Sequence, residues 1–418
     1  MRFQPIIFFI PFLLYANVSS AQWIHQQSGV SNQEWRNIKF LNENTGYACG
    51  YNTIIKTTNG GENWINQTIP PSDILFDLSI VDSNIVYCVG FYGRILKTTN
   101  GGENWVNLFS DTLTFIYSCH FIDKNTGWCA GSRGFPNGTF LVKTTDGGNN
   151  FISYAFANLS IRDIYFKDAN TGLFCSGGAI WRSTNGGINW YSPNYNFHNA
   201  GYEFRRFGIA NNQYCWLVSL TRPVYRSTDF GENWDSIAYI PSSYNVYSTY
   251  FANINTGWVG VAFGEIYKTT DGGYNWFDCS TTQPSGFISD IFFLNENTGW
   301  AVEGNNGNIF KTTNGGCNTV GISNNSSSLP KEHILYQNYP NPFNPSTRIE
   351  YSLKESGDVK LVVYDTQGRK IETLVDTFQK NGDYISDFTA PRLSSGVYFI
   401  ILKFNNEIIN SKKMLFIK

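Results

Sequence analysis

KTTNGGENW occupies residues 56–64 and returns unchanged at 97–105. Five variants follow: KTTDGGNNF (143–151), RSTNGGINW (182–190), RSTDFGENW (226–234), KTTDGGYNW (268–276) and KTTNGGCNT (311–319). A hydroxyl residue, an Asn or Asp, a Gly and an aromatic ring at fixed offsets describe a tight hairpin turn. The Asn or Asp side chain caps backbone N–H groups of the turn. The Gly takes a positive φ. The ring starts the next strand and packs inward. The capping positions are Asn59, Asn100, Asp146, Asn185, Asp229, Asp271 and Asn314. Because Asn serves where Asp does, charge is not required, so Asp146, Asp229 and Asp271 are read as structural and not catalytic.

The capping residues lie 41, 46, 39, 44, 42 and 43 residues apart. A period of about 40–45 residues is that of one four-stranded propeller blade. The sequence therefore predicts an all-β protein whose main domain is a seven-bladed β-propeller. A second punctuator precedes most repeats: NENTGY (42–47), DKNTGW (123–128), DANTGL (168–173), NINTGW (253–258) and NENTGW (295–300). These read as hairpin turns between apolar strands. Blade one then comprises strand A at 37–41, B at 47–50, C at 54–58 and D at 64–68. The recurring phrase resembles the Asp-box, S/T-x-D/N-x-G-x-x-W, of BNR-type repeats. The seventh copy lacks the Trp, and Thr319 runs into a polar stretch. QWIHQQ (22–27) instead resembles strand D of blade one, WINQTI (64–69). The N-terminal segment is expected to supply strand D of blade seven, with Trp23 filling the place of Thr319, so that no sheet edge stays open.

The composition agrees. The 418 residues include 39 Gly, 12 Trp and 25 Tyr, and only 15% are charged. Lys plus Arg number 30 against 32 Asp plus Glu, which offers no basic surplus for nucleic acid. Residues 1–21 read as a secretory signal peptide, with Arg2, an apolar run over 6–15, and Ser19 and Ala21 before the cleavage point. The run is too short for about 30 Å of hydrocarbon, and no later segment reads as membrane-spanning. Cys49, Cys88, Cys129, Cys175 and Cys215 recur at one place in successive repeats, too far apart to bridge, and are expected to be buried thiols. Cys279 with Cys317 is the least implausible disulfide.

After the propeller (22–322) comes a polar linker, 323–335, containing SNNSSS. Short alternating strands over 336–418 suggest a small immunoglobulin-like β-sandwich. YPNPFNP (339–345), YDTQGRK (364–370), SSGVYF (394–399) and a lysine-containing last strand resemble the C-terminal sorting domain of the type IX secretion system of Bacteroidetes-type bacteria. That resemblance implies a cargo secreted or displayed on the outer-membrane surface after periplasmic transit, with the secretion machinery as one partner.

The NTGW turns followed by KTTNGGENW look like the seven-bladed photosystem II assembly-factor propellers, which implies a protein-binding role. Asp-boxes also occur in sialidases and xyloglucan-cleaving glycosidases, which leaves a carbohydrate-active enzyme as the alternative. The Arg-Ile-Pro motif of sialidases is missing, and spacing reveals no pair of carboxylates across a cleft. His25, His120, His198 and His333 are scattered, with no HExxH or CxxC, so no metal or cofactor is expected. The favoured reading is a non-enzymatic module that binds protein or glycan. Its surface follows from aligning the seven A strands on Phe40, Ile80, Phe121, Phe166, Ile209, Phe251 and Phe293. Four residues earlier lie Arg36, Phe76, Tyr117, Arg162, Arg205, Tyr247 and Ser289, expected at the channel mouth opposite the Asp-boxes. The next residues are Asn37, Asp77, Ser118, Asp163, Arg206, Ser248 and Asp290. The competing expectation is that Arg162 pairs with Asp163 or Asp77 and only ties blades together.

Overall fold

The structure, a computed structural model, describes residues 23–30, 33–134, 138–154, 159–193, 203–221, 223–280, 286–317, 333–338, 341–379, 381–390 and 393–418. The signal peptide, Thr319, His198 and most of the linker lie outside these residues. The chain divides into two compact units, the first to Gly321 and the second from Ile322.

The first unit is seven antiparallel sheets in sequence order. Blade one consists of strand A (Trp35–Phe40), B (Gly46–Gly50), C (Thr53–Thr57) and D (Ile65–Asn66). The A strands of the following blades are Leu75–Ile80, Thr114–Phe121, Ile161–Phe166, Phe204–Ala210, Val246–Phe251 and Ile288–Phe293. In blade four the described D strand shrinks to a bridge between Arg182 and Tyr191. Blade seven is completed by Ile24–Gln26, which pairs with its C strand as Ile24 with Lys311 and Gln26 with Ile309. Trp23 meets Phe293 edge-on at 5.8 Å, as Trp64 meets Phe40 at 5.9 Å and Trp276 meets Phe251 at 6.1 Å. It therefore fills the aromatic position that the seventh repeat lacks. Its Nε1 donates to the Cys279 carbonyl.

The repeat phrase works as its chemistry predicts, with one addition. In every blade the hydroxyl two residues before the cap joins the turn: Thr57 Oγ1 donates to Asn59 Oδ1 and accepts from Asn59 N and Gly61 N. Asn59 Oδ1 also accepts from Asn63 N at 2.9 Å. The Asp copies gain one more bond, for example Asn150 Nδ2 to Asp146 Oδ2 at 2.7 Å. Bonds from Asn150, first from its side chain and then from its backbone, hold the Asp146 carboxyl below the usual range. The first Gly of each phrase, or Phe230 in blade five, donates its N–H to a carbonyl of the A–B turn, as Gly60 does to Asn44 at 2.8 Å. Asp-boxes and A–B turns thus share one end of the ring.

Blades interlock through the aromatic that opens strand B. Trp300 stacks on Phe40 of the next blade at 3.5 Å and donates to the Gly60 carbonyl at 3.1 Å. Tyr47, Tyr87, Trp128, Trp216 and Trp258 donate to the equivalent carbonyls of Gly101, Gly147, Gly186, Gly272 and Gly315. The lysine of the repeat lies over that ring, as Lys311 over Trp300 at 5.4 Å. Blade four has Leu173 there, which cannot donate, and Arg182 Nε bonds to the Phe230 carbonyl instead.

Cys49, Cys88, Cys129, Cys175 and Cys215 are buried free thiols, as is Cys119 in strand A of blade three. Cys279 and Cys317 form a disulfide with Cα atoms 4.8 Å apart. It joins the end of blade six to the last Asp-box, beside Trp23. By loop-closure entropy a bridge over 38 residues stabilises by about 4 kcal/mol.

The second unit packs two sheets. One contains Ile334–Leu335, Ser346–Leu353 and Gly382–Thr389; the other contains Lys370–Gln379, Gly357–Asp365, Gly396–Phe404 and Glu407–Phe416. Ile349, Leu353, Leu361, Val363, Ile400, Leu402 and Met414 form the core between them. Ile334 and Leu335, expected in the linker, belong to the sandwich instead: they pair with Ser352 and Tyr351. The NPF loop is packed against the last strand. Phe343 is buried, and Asn341 accepts from Leu415 N and donates to the Lys413 carbonyl, clamping the last strand.

Candidate binding site at the channel mouth

All seven A strands slip register against strand B at one place: after Trp35, Leu75, Ile116, Ile161, Phe204, Val246 and Ile288. The residue skipped is Arg36, Phe76, Tyr117, Arg162, Tyr247 or Ser289, and in blade five the slip takes in both Arg205 and Arg206. A bulge leaves one residue unpaired and re-aims its side chain. Here it turns the expected set toward the axis. Arg36, Phe76, Tyr117, Arg162, Arg205, Tyr247 and Ser289, with Arg206 and Phe287, line one cavity of about 140 Å³.

Around the rim the side chains form two arcs. In one, Arg36 lies over Phe287 at 5.7 Å and Phe287 packs on Tyr247 at 4.6 Å. In the other, Phe76 packs on Tyr117 at 5.1 Å and Arg162 stacks over Tyr117 at 4.7 Å. Arg162 and Arg205 share one carboxylate, Glu203, each at 3.2 Å. Glu34 pairs with Arg36 at 2.6 Å. Two guanidinium groups facing one carboxylate leave positive charge at the mouth. The Arg205 pKa is lowered, first by burial, then with Arg162 opposing and Glu203 supporting its charge.

Beneath the rim the next residues tie the blades. Arg206 reaches Asp290 at 3.2 Å and Asp77 at 3.6 Å, and Lys39 lies 3.7 Å from Asp77. Asn37 Nδ2 donates to Asp290 at 2.8 Å, and Ser118 Oγ bonds to both Asp77 and Asp163. Burial raises the Asp163 pKa to about 6, against the pull of Arg206. Burial also lowers the His120 pKa to about 3, and its Nδ1 accepts from Phe166 N at 3.2 Å. Arg206 therefore ties blades through these aspartates, while Arg162 spans its neighbours through Glu203 at blade five and Tyr117 of blade three. Arg162 engages neither Asp163 nor Asp77; it faces Glu203 and Tyr117.

Three participants carry no signal in the sequence. Glu34, Glu203 and Phe287 stand one residue before the A-strand residues Trp35, Phe204 and Ile288. Extending the same alignment back by two positions from Arg36 yields Glu34, Ile74, Phe115, Ser160, Glu203, Asn245 and Phe287, a mixed row that forms no motif by itself.

Residues 337–418 match the family described as the secretion system C-terminal sorting domain. No curated protein sequence matches the chain. Among solved structures the chain is similar to YCF48 bound to a D1 peptide, at 18% identity and TM-score 0.58, over 70% of this chain and 96% of that one. It is similar to the GH74 enzyme of Niastella koreensis at 13% identity and TM-score 0.57, over 78% of this chain and 59% of that one. PorZ, a surface component of the type IX secretion system of Porphyromonas gingivalis, is similar at 13% identity and TM-score 0.50, over 94% of this chain and 60% of that one. At such identities the likeness establishes the propeller fold. The sorting domain marks the chain as one secreted or held at the outer-membrane surface. Among the described residues no helix is long and apolar enough to cross a membrane.

Proposed function

We propose that the propeller is a non-enzymatic binding module, exported through its C-terminal sorting domain, that holds a protein or glycan partner at the channel mouth. The carrying observation is the seven-fold bulge, which converges residues from every blade on one cavity while the other end of the ring is consumed by turns. Arginine and aromatic side chains suit a partner with anionic and flat or apolar groups. A propeller of this fold is known with a peptide bound. The competing reading is a carbohydrate-active enzyme, favoured by the likeness to a GH74 enzyme. Glycoside cleavage requires two carboxylates flanking the scissile bond. The nine residues lining the cavity include no carboxylate, and Glu34 and Glu203 beside it are held by arginines.

The test replaces Arg36, Arg162 and Arg205 together by Ala and measures binding to a protein and glycan array alongside a thermal melt. Removing each charge-assisted hydrogen bond to the partner should weaken binding by roughly 1.5–3 kcal/mol. Normal binding by the triple variant would show that the face is wrong. Unfolding would assign the arginines to holding blades together. Hydrolysis of an arrayed glycan would favour the enzyme.

A further inference from the structure

A second cavity of about 370 Å³ opens on the same end of the ring, between blades six and seven. Tyr247 and Phe287 line both cavities, so the two adjoin. The outer wall of the larger one is Tyr244 and Phe263, 44% and 54% exposed, with ring centroids 4.6 Å apart. Phe263 has φ of +57°, a costly conformation for a bulky side chain. Its turn is fixed from both sides: Ala262 N donates to the Asn245 carbonyl at 3.1 Å and Gly264 N to the Gly286 carbonyl at 2.7 Å. The result is an aromatic ring presented to solvent from a pinned backbone turn. Asn245 and Asn305 stand exposed on the same wall, and their side-chain amides bond to no described protein group.

A volume of this size with aromatic walls and a few polar groups is that of a small-molecule or oligomer subsite. Exposed flat rings beside free amides match the alternating apolar faces and hydroxyl edges of a pyranose. The adjoining mouth adds arginines, two of them sharing one carboxylate. We infer that the two cavities form one groove for an acidic oligosaccharide. One sugar stacks on Tyr244 and Phe263 with its hydroxyls on Asn245 and Asn305, and a neighbouring uronate carboxylate meets Arg162 and Arg205. The inference rests on the mouth being a binding site and names its ligand class.

The full chain is titrated calorimetrically with tetragalacturonate, a hyaluronan tetrasaccharide, cellotetraose and tetraglutamate. At least one uronate oligosaccharide should bind, with cellotetraose about tenfold weaker or worse. Phe263→Gly removes the ring and relieves the backbone, so it should weaken uronate binding by up to about tenfold while melting no lower than the wild type. Arg162→Gln with Arg205→Gln should abolish the preference for the acidic sugar. The inference is overturned if neither uronate binds, if Phe263→Gly binds like wild type, or if tetraglutamate binds more tightly than both uronates. Tetraglutamate binding that the arginine variants lose and Phe263→Gly keeps would leave the mouth standing and remove the sugar. Arginine variants without effect on any probe would remove the mouth as well.

Discussion

The two ends of the propeller use the same repeat in opposite ways. At the Asp-box end the hydroxyl and the cap of each motif are spent on their own turn, and the strand-B aromatic on a neighbouring blade, as Thr57, Asn59 and Trp300 show. At the mouth, the bulge withdraws a residue of each A strand from the ladder; Ser289 spends its hydroxyl on the Trp35 and Val302 carbonyls, while the larger side chains are left to line the cavity. The bonded positions at the first end are therefore nearly constant, because most changes there lose a bond. The second varies from Arg to Phe to Ser, because the backbone conformation there does not depend on the side chain. Periodicity marks the scaffold, and departures from periodicity mark where chemistry is free to differ.

This contrast can be broken most severely at the scaffold end. Trp300→Ala removes a ring stacked on Phe40, its bond to Gly60 and the seat of Lys311. It should cost about 3–5 kcal/mol and lower Tm on the order of 10 °C, as calorimetry would register. Binding of any probe at the mouth should stay within error for the folded fraction; a parallel loss would mean that the ends are coupled. A smaller effect separates charge from capping. Asp271→Ala loses the bonds from Thr269, Tyr274 and Asn275 and should cost about 1 kcal/mol. Asp271→Asn, which copies blades one and two, should stay within about 0.5 kcal/mol. Equal losses in the two would contradict the capping account.

The smallest effect concerns the channel beneath the mouth. Asp163 titrates near 6 in the fold, above the unfolded value near 3.9. The folded state thus binds the extra proton between these values, and stability from this group falls as pH rises through that window. The difference in Tm between wild type and Asp163→Asn should move in favour of the variant as pH goes from about 4 to 7. A constant difference would show that Asp163 is ionised throughout.

Much of this was legible in the sequence. Seven Asp-boxes at a steady spacing dictated the blades, and Trp23 announced the missing ring of Thr319. Alignment on Phe40 and its counterparts also gathered the mouth residues. The bulge was not legible: a one-residue slip changes pairing and leaves composition untouched. Nor were the ion pairs. Arg162 and Arg206 both lie near acidic residues in sequence, and only the slip in blade five decides which of them turns inward. The Cys279–Cys317 bridge was obscured because Cys317 occupies a variable turn position, filled elsewhere by Glu62 or Ile188.

Blade seven joins Ile24 to Lys311, so its hydrogen bonds span nearly the whole unit. Contacts between residues so distant must offset a large loop-closure entropy before they contribute. Local hairpins and neighbouring blades can form earlier, which places closure last in the folding order. Until then the C strand of blade seven, Ile309–Thr312, presents an unpaired edge able to pair with another chain. A chain in transit is thus most prone to aggregate just before its seventh blade is completed, and the sorting domain follows that point in sequence.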